Sequence, residues 1–541
     1  MILITLLSLF PIVLILLGYI GIKRAGKFVG DRLLENSLVK RSKLLQIVAK
    51  EEKEWEHMEK GRRDSDEWEN VEGYNTMEKL SSQIIQDLEW DGIVGFFHPF
   101  CNAGGGGERV LWAAIQAMQK RWPKGKFVVY TGDQNVNKEA ILNHVQNRFN
   151  ISLHPPSIEF LYLTTRSWVL SSSWPHFTLL GQSIGSLVLA WDAFSLLVPD
   201  IFIDTMGYAF SLAFCKYLFP NIPTGAYIHY PTISTDMLSS LTFTSLSTAQ
   251  GLNGGKGLWV LGIGKRIYWR LFAKIYSLVG GPIDLVMTNS SWTQEHIMSL
   301  WGSRRSWIKK TAPLTVYPPV AVEELVSAIE ISVAKEKIRE PIILYLGQFR
   351  PEKNHRLILK SFAKFKDTGT SASKKAKLVL IGSIRDNSDS ARVHELQLLV
   401  NELKIMDNVI FELDATWTEV LKWLGRASIG VNGMWNEHFG IGIVEYQAAG
   451  LIPVVHNSGG PKRDIVKDIN GQPTGLHAST AEEYAACYEE LLSMSEWERV
   501  KMRQRARKNT QRFTEEVFST GWIRQAEKLV DMSKPFVQKK H

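Results

Sequence analysis

The sequence predicts an α/β protein in which two doubly wound, Rossmann-like domains follow one another and face a common cleft. Short apolar runs alternate with helical patterns over residues 91–322, and a second such series occupies residues 340–515. Continuous apolar strands separated by helices are typical of a parallel sheet that is covered on both faces. A charged helical stretch over residues 323–339 separates the two series and marks the predicted domain boundary.

Eleven apolar runs predict the strands. Those of the first domain are residues 92–97, 126–130, 158–163, 199–204, 224–229 and 282–289. Those of the second domain are residues 342–347, 377–382, 409–411, 427–432 and 452–456. A last helix, residues 516–541, is predicted to pack back on the first domain. Because ligands of such sheets bind beyond the carboxyl ends of the strands, the loops after these runs are the candidate site.

An uncharged apolar segment, residues 1–22, predicts a membrane anchor. As a helix it measures about 33 Å, against about 30 Å of hydrocarbon in a bilayer. Lys23, Arg24 and Lys27 follow it, and basic residues after the apolar run place the rest of the chain in the cytosol. A cleaved signal peptide and a buried helix are the alternatives. Residues 23–90 then read as a charged helical connector that acts as a spacer at the membrane surface.

Two further segments are more apolar than a soluble domain requires. Residues 177–194 predict a buried helix, with a second membrane span as the alternative. Residues 238–261 combine Ser, Thr and Gly with large apolar side chains, which suits either a loop on a membrane or a mobile lid.

Composition excludes several classes of protein. The 541 residues carry 63 Lys and Arg against 55 Asp and Glu, a formal charge of +8, with 45% hydrophobic residues. Disorder is excluded by that hydrophobic content. The three cysteines are too far apart to predict a disulfide framework or a metal site. No nucleic-acid-binding motif accompanies the positive charge, so an anionic membrane surface and phosphate groups are the predicted partners.

A run of four glycines follows the first strand and precedes a helix. Gly104, Gly105, Gly106 and Gly107 would let a phosphate or a sugar approach the backbone and the free N–H groups of the helix start. A tight strand-to-helix turn is the alternative explanation. The run has neither the dinucleotide-binding nor the P-loop spacing, which disfavours nicotinamide and P-loop ATPase chemistry.

Charged residues stand on the corresponding loops of both domains. Arg350 and Lys353 follow the first strand of the second domain and could neutralise a diphosphate, although a solvated charged turn is also possible. His229 ends a strand of the first domain, where it would project into the cleft, and a purely structural histidine is the alternative.

Two carboxylates eight positions apart complete the pattern. Glu437 lies in a loop and Glu445 near the start of the next helix, so both could hydrogen-bond sugar hydroxyls. Between them, Phe439, Gly440 and Ile441 would leave backbone N–H groups free at the helix start. An ordinary helical glutamate is the alternative for Glu445.

In this order, the segments resemble the retaining glycosyltransferases of the GT-B fold, glycosyltransferase family four, over about residues 91–520. The motifs FHPFCNA, YIHYPTIS and QFRPEKNH, together with the Glu-x7-Glu element, resemble more closely the eukaryotic α-1,2-mannosyltransferases of the dolichol-linked oligosaccharide pathway. The resemblance implies transfer of mannose from GDP-mannose to a dolichol-diphosphate-linked mannosyl-chitobiose. It also implies a single-pass protein of the endoplasmic reticulum membrane with cytosolic catalytic domains, and contact with other mannosyltransferases of the pathway.

The resemblance implies a role for each site residue. Arg350 and Lys353 would hold the donor diphosphate, Glu437 the mannose hydroxyls, and Glu445 the ribose. His229 would contact the mannose or assist at the reacting centre. The remaining residues would shape the sugar pocket or lie near phosphate and acceptor: Phe439, Gly440, Ile441, Gly105, Gly106 and Gly107.

One position departs from the family pattern, in which Arg usually follows the glycine of the basic loop. Gln348 stands there, and Arg350 would have to supply the charge. No metal and no cofactor is expected beyond the GDP-mannose co-substrate. Two alternatives remain: a transferase that uses another nucleotide sugar, such as UDP-N-acetylglucosamine, on a lipid acceptor, and a membrane-tethered scaffold without activity.

Overall fold

The computed structural model describes residues 2–65, 89–239, 259–384 and 387–537. Within them, seven parallel strands form one sheet and six form a second. The strand orders are β3-β2-β1-β4-β5-β6-β7 and β10-β9-β8-β11-β12-β13. In each sheet the chain first adds strands on one side of its first strand and then continues on the other side, so the strand order reverses once, beside that first strand. The predicted architecture of two doubly wound sheets is confirmed.

The first sheet consists of β1 Ile93–Phe97, β2 Lys126–Thr131, β3 Ile158–Tyr162, β4 Ile201–Asp204, β5 Thr224–Ile228, β6 Leu285–Thr288 and β7 Leu314–Thr315. Its helices are α1 Ile2–Ser65, α2 Gly106–Arg121, α3 Lys138–Phe149, α4 Thr178–Leu196, α5 Ala209–Leu218, α6 Thr235–Ser239, α7 Trp259–Gly280 and α8 Ser291–Trp307. The two-residue strand β7 is too short to give an apolar run and was not predicted.

The second sheet consists of β8 Glu340–Leu346, β9 Lys377–Gly382, β10 Val409–Leu413, β11 Ala427–Asn432, β12 Ile452–His456 and β13 Leu476–Ala478. Its helices are α9 Val322–Ala328, α10 Val333–Glu336, α11 His355–Asp367, α12 Ser371–Lys375, α13 Asn387–Glu402, α14 Trp417–Arg426, α15 Ile441–Ala449, α16 Ala481–Ser493 and α17 Glu496–Asn509. The boundary stretch 323–339 is thus two short helices, and the prediction of one charged helix there was wrong.

Helix α1 runs without a break from the apolar segment into the charged one. It packs closely on α5, since a Cβ added at Gly30 would stand 2.1 Å from the Leu218 carbonyl oxygen. Leu44 and Val48 are buried in the core of the first domain. The Arg41 guanidinium lies 2.7 Å from the Asp200 carboxylate. Residues 23–65 are therefore part of the first domain, and the expected spacer is wrong for them; residues 66–88 lie outside the described ranges.

Helix α4 contains the predicted apolar segment 177–194. Among the residues whose side chains the structure describes, which leave out residues 1–17 of the chain, α4 is the one helix whose length and hydropathy would suffice to cross a membrane, and 44% of its most apolar 18-residue stretch is buried. Leu189 and Ala193 face the domain core, whereas Ile184 and Trp191 are each 44% exposed. Most of the other apolar segment, residues 240–258, lies outside the described residues.

The last helix, α18 Glu515–Val537, returns to the first domain. Phe518, Trp522 and Leu529 are buried in its core, and the rings of Trp522 and Phe96 stack at 6.4 Å. The two connecting segments run side by side, because the Val320 N–H donates to the Phe513 carbonyl oxygen at 3.0 Å. The chain thus crosses between the domains twice at one place.

Candidate active site

A cavity of about 280 Å³ lies where the carboxyl ends of the two sheets face each other. The loops after β1 and β5 border it from the first domain, and the loops after β8 and β11 border it from the second. Eight of the predicted residues line it: Gly106, Gly107, His229, Lys353, Glu437, Phe439, Gly440 and Ile441. The structure therefore brings most of the predicted site together, across the domain boundary.

An ion pair between Lys353 and Glu437 forms the charged centre of this cavity. The Lys353 Nζ lies 2.5 Å from the Glu437 Oε2, and the two side chains are 24% and 11% exposed. The loop that carries Lys353 is fixed from behind, since the buried Tyr345 hydroxyl donates to the Lys353 carbonyl oxygen at 2.7 Å. The left-handed Asn354 (φ 52°) then turns the chain into α11.

The pKa of Glu437 is lowered, and the direction of this shift is the outcome of opposing effects. Burial by itself would raise the pKa, because it penalises the charged carboxylate. Burial is the largest single effect, but the positive charge of Lys353, the charge of His438 and the hydrogen bonds from Lys353 and Asn432 together outweigh it and lower the pKa. Glu437 is therefore an ionised hydrogen-bond acceptor at neutral pH.

His229 lies opposite this pair, half-buried directly after β5, with its Nε2 atom removed from solvent. Its carbonyl oxygen accepts from the Asn289 side-chain amide at 3.0 Å. Its Nε2 has no hydrogen-bond partner among the described residues and would stand 3.6 Å from a Cβ placed at Gly107. Burial lowers the pKa of His229 to about 4, and the neighbouring His98 adds to this. The ring is neutral at physiological pH and can donate or accept a hydrogen bond.

The glycine loop rests on a buried polar network that sequence reasoning missed. The Gly105 N–H donates to Glu108 Oε2 at 2.6 Å, and Glu108 Oε1 lies 3.6 Å from His98 Nε2. His98 Nδ1 and Thr205 Oγ1 are 2.7 Å apart. The N–H of Gly105 is thus occupied, and Gly105 itself does not line the cavity, in contrast to Gly106 and Gly107. A Glu three positions after a helix start is the signal that could have revealed this capping.

Gly106 lets the two domains approach each other, and Gly440 lets the chain turn into α15. A Cβ at Gly106 would stand 2.6 Å from the Ile441 Cδ1 of the opposite domain. Gly440 has φ +103°, which L side chains rarely adopt, and it is the N-cap residue directly before α15. The first N–H groups of a helix lack partners within it and attract anions, and Ile441 and Gly442 of that first turn line the cavity.

Arg350 and Glu445 do not line the cavity. Arg350 is 41% exposed and lies 3.9 Å from Glu352. Glu445 is half-buried one turn into α15; burial raises its pKa, and Arg109 and Arg148 of the first domain partly offset this. Glu445 therefore faces positive charge from across the cleft.

Several lining residues were not predicted as site residues. They are Asn289, Pro318, Leu346, Asn432, His438, Gly442 and Tyr446. The His438 ring lies 4.1 Å from the Tyr230 ring and 5.5 Å from the Trp292 ring. It thereby joins the second domain to the first, and burial lowers its pKa to about 4. Within the described residues, no group of three or more His, Cys, Asp or Glu could hold a metal ion.

This fold and cleft define a glycosyltransferase, and comparisons with known proteins agree. Residues 328–513 match the family "Glycosyl transferases group 1", and residues 91–301 match "ALG11 mannosyltransferase N-terminus". The fold resembles sucrose-phosphate synthase from Thermosynechococcus elongatus (TM-score 0.55, 15% identity, 81% of this chain and 99% of that one). It also resembles trehalose 6-phosphate synthase from Burkholderia multivorans (TM-score 0.58, 11% identity, 82% and 99%).

Relatives of closely similar sequence show which family of glycosyltransferases the chain belongs to. A Neurospora crassa protein named "GDP-Man:Man(3)GlcNAc(2)-PP-Dol alpha-1,2-mannosyltransferase" is 56% identical, over 97% of this chain and 96% of its own length. The mouse protein of that name is 45% identical, over 81% and 87%, and the Dictyostelium discoideum protein 42%, over 81% and 85%. The chain belongs to this family of α-1,2-mannosyltransferases.

The ion pair makes a prediction for stability. Lys353→Met should lower the free energy of unfolding at pH 7 by about 3 kcal/mol, because it leaves a buried carboxylate without its counter-charge. Adding Glu437→Gln should restore most of that loss. The lowered pKa of Glu437 stabilises the native protein above pH 4.5, and this stabilisation disappears as the pH falls through the folded pKa.

In the single variant Lys353→Met, burial raises the pKa of Glu437 instead, so the deficit should shrink between pH 7 and pH 5. Urea unfolding of the native chain, the single variant and the double variant at both pH values measures this. An equal deficit at both pH values with no recovery in the double variant would contradict the electrostatic role of the pair.

Proposed function

We propose that this chain transfers mannose, in α-1,2 linkage and with retention, from GDP-mannose to the dolichol-diphosphate-linked glycan Man3GlcNAc2. The Neurospora crassa relative, which matches 97% of this chain, and the mouse relative, which matches 81% of it, carry the name of this reaction. The observation that carries the proposal is the Lys353–Glu437 pair in a cavity that both domains line. One side chain suits a diphosphate and the other suits sugar hydroxyls, as a nucleotide-sugar donor requires.

Each group has a distinct task in this proposal. Glu437, ionised and acceptor-only, binds mannose hydroxyls, and the neutral His229 ring contacts the same sugar. Lys353 and the N–H groups at the start of α15 bind the diphosphate, and Glu445 binds the ribose. Phe439, Gly440 and Ile441 shape the sugar pocket, while Gly105, Gly106 and Gly107 carry the loop near phosphate and acceptor. Arg350 joins the diphosphate by turning away from Glu352.

The transfer proceeds on one face of the sugar. The bond between mannose C1 and the β-phosphate oxygen breaks, and a bond forms between C1 and the acceptor hydroxyl oxygen on the same face. The acceptor proton passes to the departing phosphate oxygen, and GDP leaves. Lys353 and the α15 N–H groups stabilise the negative charge on the leaving group, which supplies the electrostatic assistance that this step needs without a metal ion.

We also propose that α1 anchors the chain in the endoplasmic reticulum membrane as a single span, with both domains in the cytosol. Dolichol-linked substrates of the relatives are consistent with a membrane site. Where α1 meets the domain, the Tyr217 hydroxyl donates to the Ile22 carbonyl oxygen at 2.7 Å. Ile22 and Phe28 are 63% and 62% exposed there, beside the basic residues that follow residue 22. Contact with other mannosyltransferases of the pathway stays a prediction.

The proposed reaction is tested with purified chain, GDP-mannose and Man3GlcNAc2 diphosphate on a short polyisoprenoid, followed by linkage analysis. We expect an α-1,2-linked mannosyl product, and we expect Glu437→Ala and Lys353→Ala each to lose about 100-fold or more of the transfer rate. The exposed Lys360→Ala and Glu402→Ala serve as matched controls with unchanged transfer. Product from UDP-N-acetylglucosamine but not from GDP-mannose would overturn the donor, and full activity of Glu437→Ala would overturn the site.

The membrane proposal is tested by fractionation. Removal of residues 2–22 should shift the chain from the carbonate-resistant pellet to the supernatant, because about 20 apolar residues are what a span requires. In sealed microsomes, protease should degrade both domains without detergent. Retention of the truncated chain in the pellet, or protection of the domains, would contradict the single anchor or the cytosolic orientation.

A further inference from the structure

A second cavity, of about 530 Å³, lies between α8 and the loop after β12. The first domain contributes Trp292, His296 and Ser299 to its wall, and the second contributes Asn436, Asn457 and Lys462. No predicted site residue lines it. Like the first cavity, it is complete only when the two domains are together.

The two cavities share one wall, the segment from Asn436 to His438. Asn436 lines the larger cavity, whereas Glu437 and His438 line the smaller one. The loop after β12 supports this wall, because the Gly460 N–H donates to the Glu437 carbonyl oxygen at 2.8 Å. A Cβ at Gly459 would stand 2.4 Å from that same oxygen. A ligand in the larger cavity is therefore one short segment away from the proposed mannose site.

The larger cavity is lined mainly by uncharged or charge-balanced polar groups. Ser299, Asn457 and Lys462 make no side-chain hydrogen bond or ion pair with any described residue, so a hydroxyl, an amide and an ammonium remain available to a ligand. Arg463 is already paired with Glu295, which leaves Lys462 as the one uncompensated cation among the described lining residues. A hydroxyl, an amide and a single uncompensated cation suit a neutral polyhydroxylated ligand better than a diphosphate, which requires several cations.

A nucleotide base fits this cavity poorly. A base stacks on an exposed aromatic face, and Trp292 is only 5% exposed, with its ring packed against the His296 ring at 4.0 Å. The smaller cavity measures about 280 Å³, which is already at the low end for a single ligand, whose sites usually measure ~300–1,000 Å³. An oligosaccharide acceptor thus needs a separate polar site beside the donor.

We propose that this larger cavity binds the mannose residues of the acceptor glycan and presents a terminal hydroxyl over the segment 436–438 to the donor sugar. The proposal rests on the proposed function, because it takes the acceptor from it. Ser299 and Asn457, one from each domain, contact glycan hydroxyls, so acceptor binding depends on the closed arrangement of the domains. These residues are binding residues for the acceptor and take no part in bond breaking.

The test introduces a large side chain into the larger cavity from α8, the exposed helix that borders it. Ser299→Trp should raise the KM for the Man3GlcNAc2 lipid on the order of tenfold, the loss of one or two ligand hydrogen bonds, and leave the KM for GDP-mannose unchanged. Asn457→Ala should raise the acceptor KM in the same direction without adding bulk. Ser303→Trp, one turn further along α8 and outside the cavity, is the matched control with native acceptor KM.

A binding measurement separates this proposal from the reaction itself. Saturation-transfer NMR with the free Man3GlcNAc2 pentasaccharide should give a signal with the native chain and with Ser303→Trp, and a weak one with Ser299→Trp. Thermal stabilisation by GDP should be the same in all three. A native glycan signal or a native acceptor KM in Ser299→Trp overturns the proposal, as does a rise in the KM for GDP-mannose. Absence of transfer by the native chain, with glycan binding intact, would overturn the proposed function alone.

Discussion

Lys353 and Glu437 are oppositely charged, 2.5 Å apart and largely removed from water, an arrangement that costs desolvation energy and needs exact support from its neighbours. That support is visible on both sides of the pair. Tyr345 fixes the Lys353 backbone, and the glycine turn after β12 fixes the Glu437 backbone. The charges are held in place before any ligand arrives, so a nucleotide sugar meets preorganised partners.

The pair can serve the reaction only if the two domains keep their relative position. Asp464 of the second domain accepts from the Ser291 N–H at 2.9 Å and from the Ser291 hydroxyl at 2.6 Å, at the first turn of α8. Trp522 anchors the returning helix in the core of the first domain. Since both cavities lie at the domain boundary, these contacts position donor and acceptor sites relative to each other, and small rotations of the domains would alter both.

The sequence allowed the sheets and most of the site to be predicted, because continuous apolar strands and loops at their carboxyl ends leave a strong pattern. The pairing of Lys353 with Glu437 could not be read from it, since 83 residues separate them and only folding makes them neighbours. For Arg350 the sequence revealed the charge and its place in the loop. It did not reveal that the side chain is exposed and lies beside Glu352. Helix α1 was misjudged because Leu44 and Val48 recur at helical spacing among many charges, and that spacing does not reveal that they pack into the core of the first domain.

A crystal structure of the chain with GDP-mannose tests the central claim most directly. The account predicts mannose hydroxyl oxygens within hydrogen-bond distance of the Glu437 carboxylate, and a diphosphate oxygen in contact with both the Lys353 ammonium and the first turn of α15. It also predicts that the cavity beside α8 remains free of donor. A mannose bound away from Glu437, with the Lys353–Glu437 pair untouched by the donor, would contradict it.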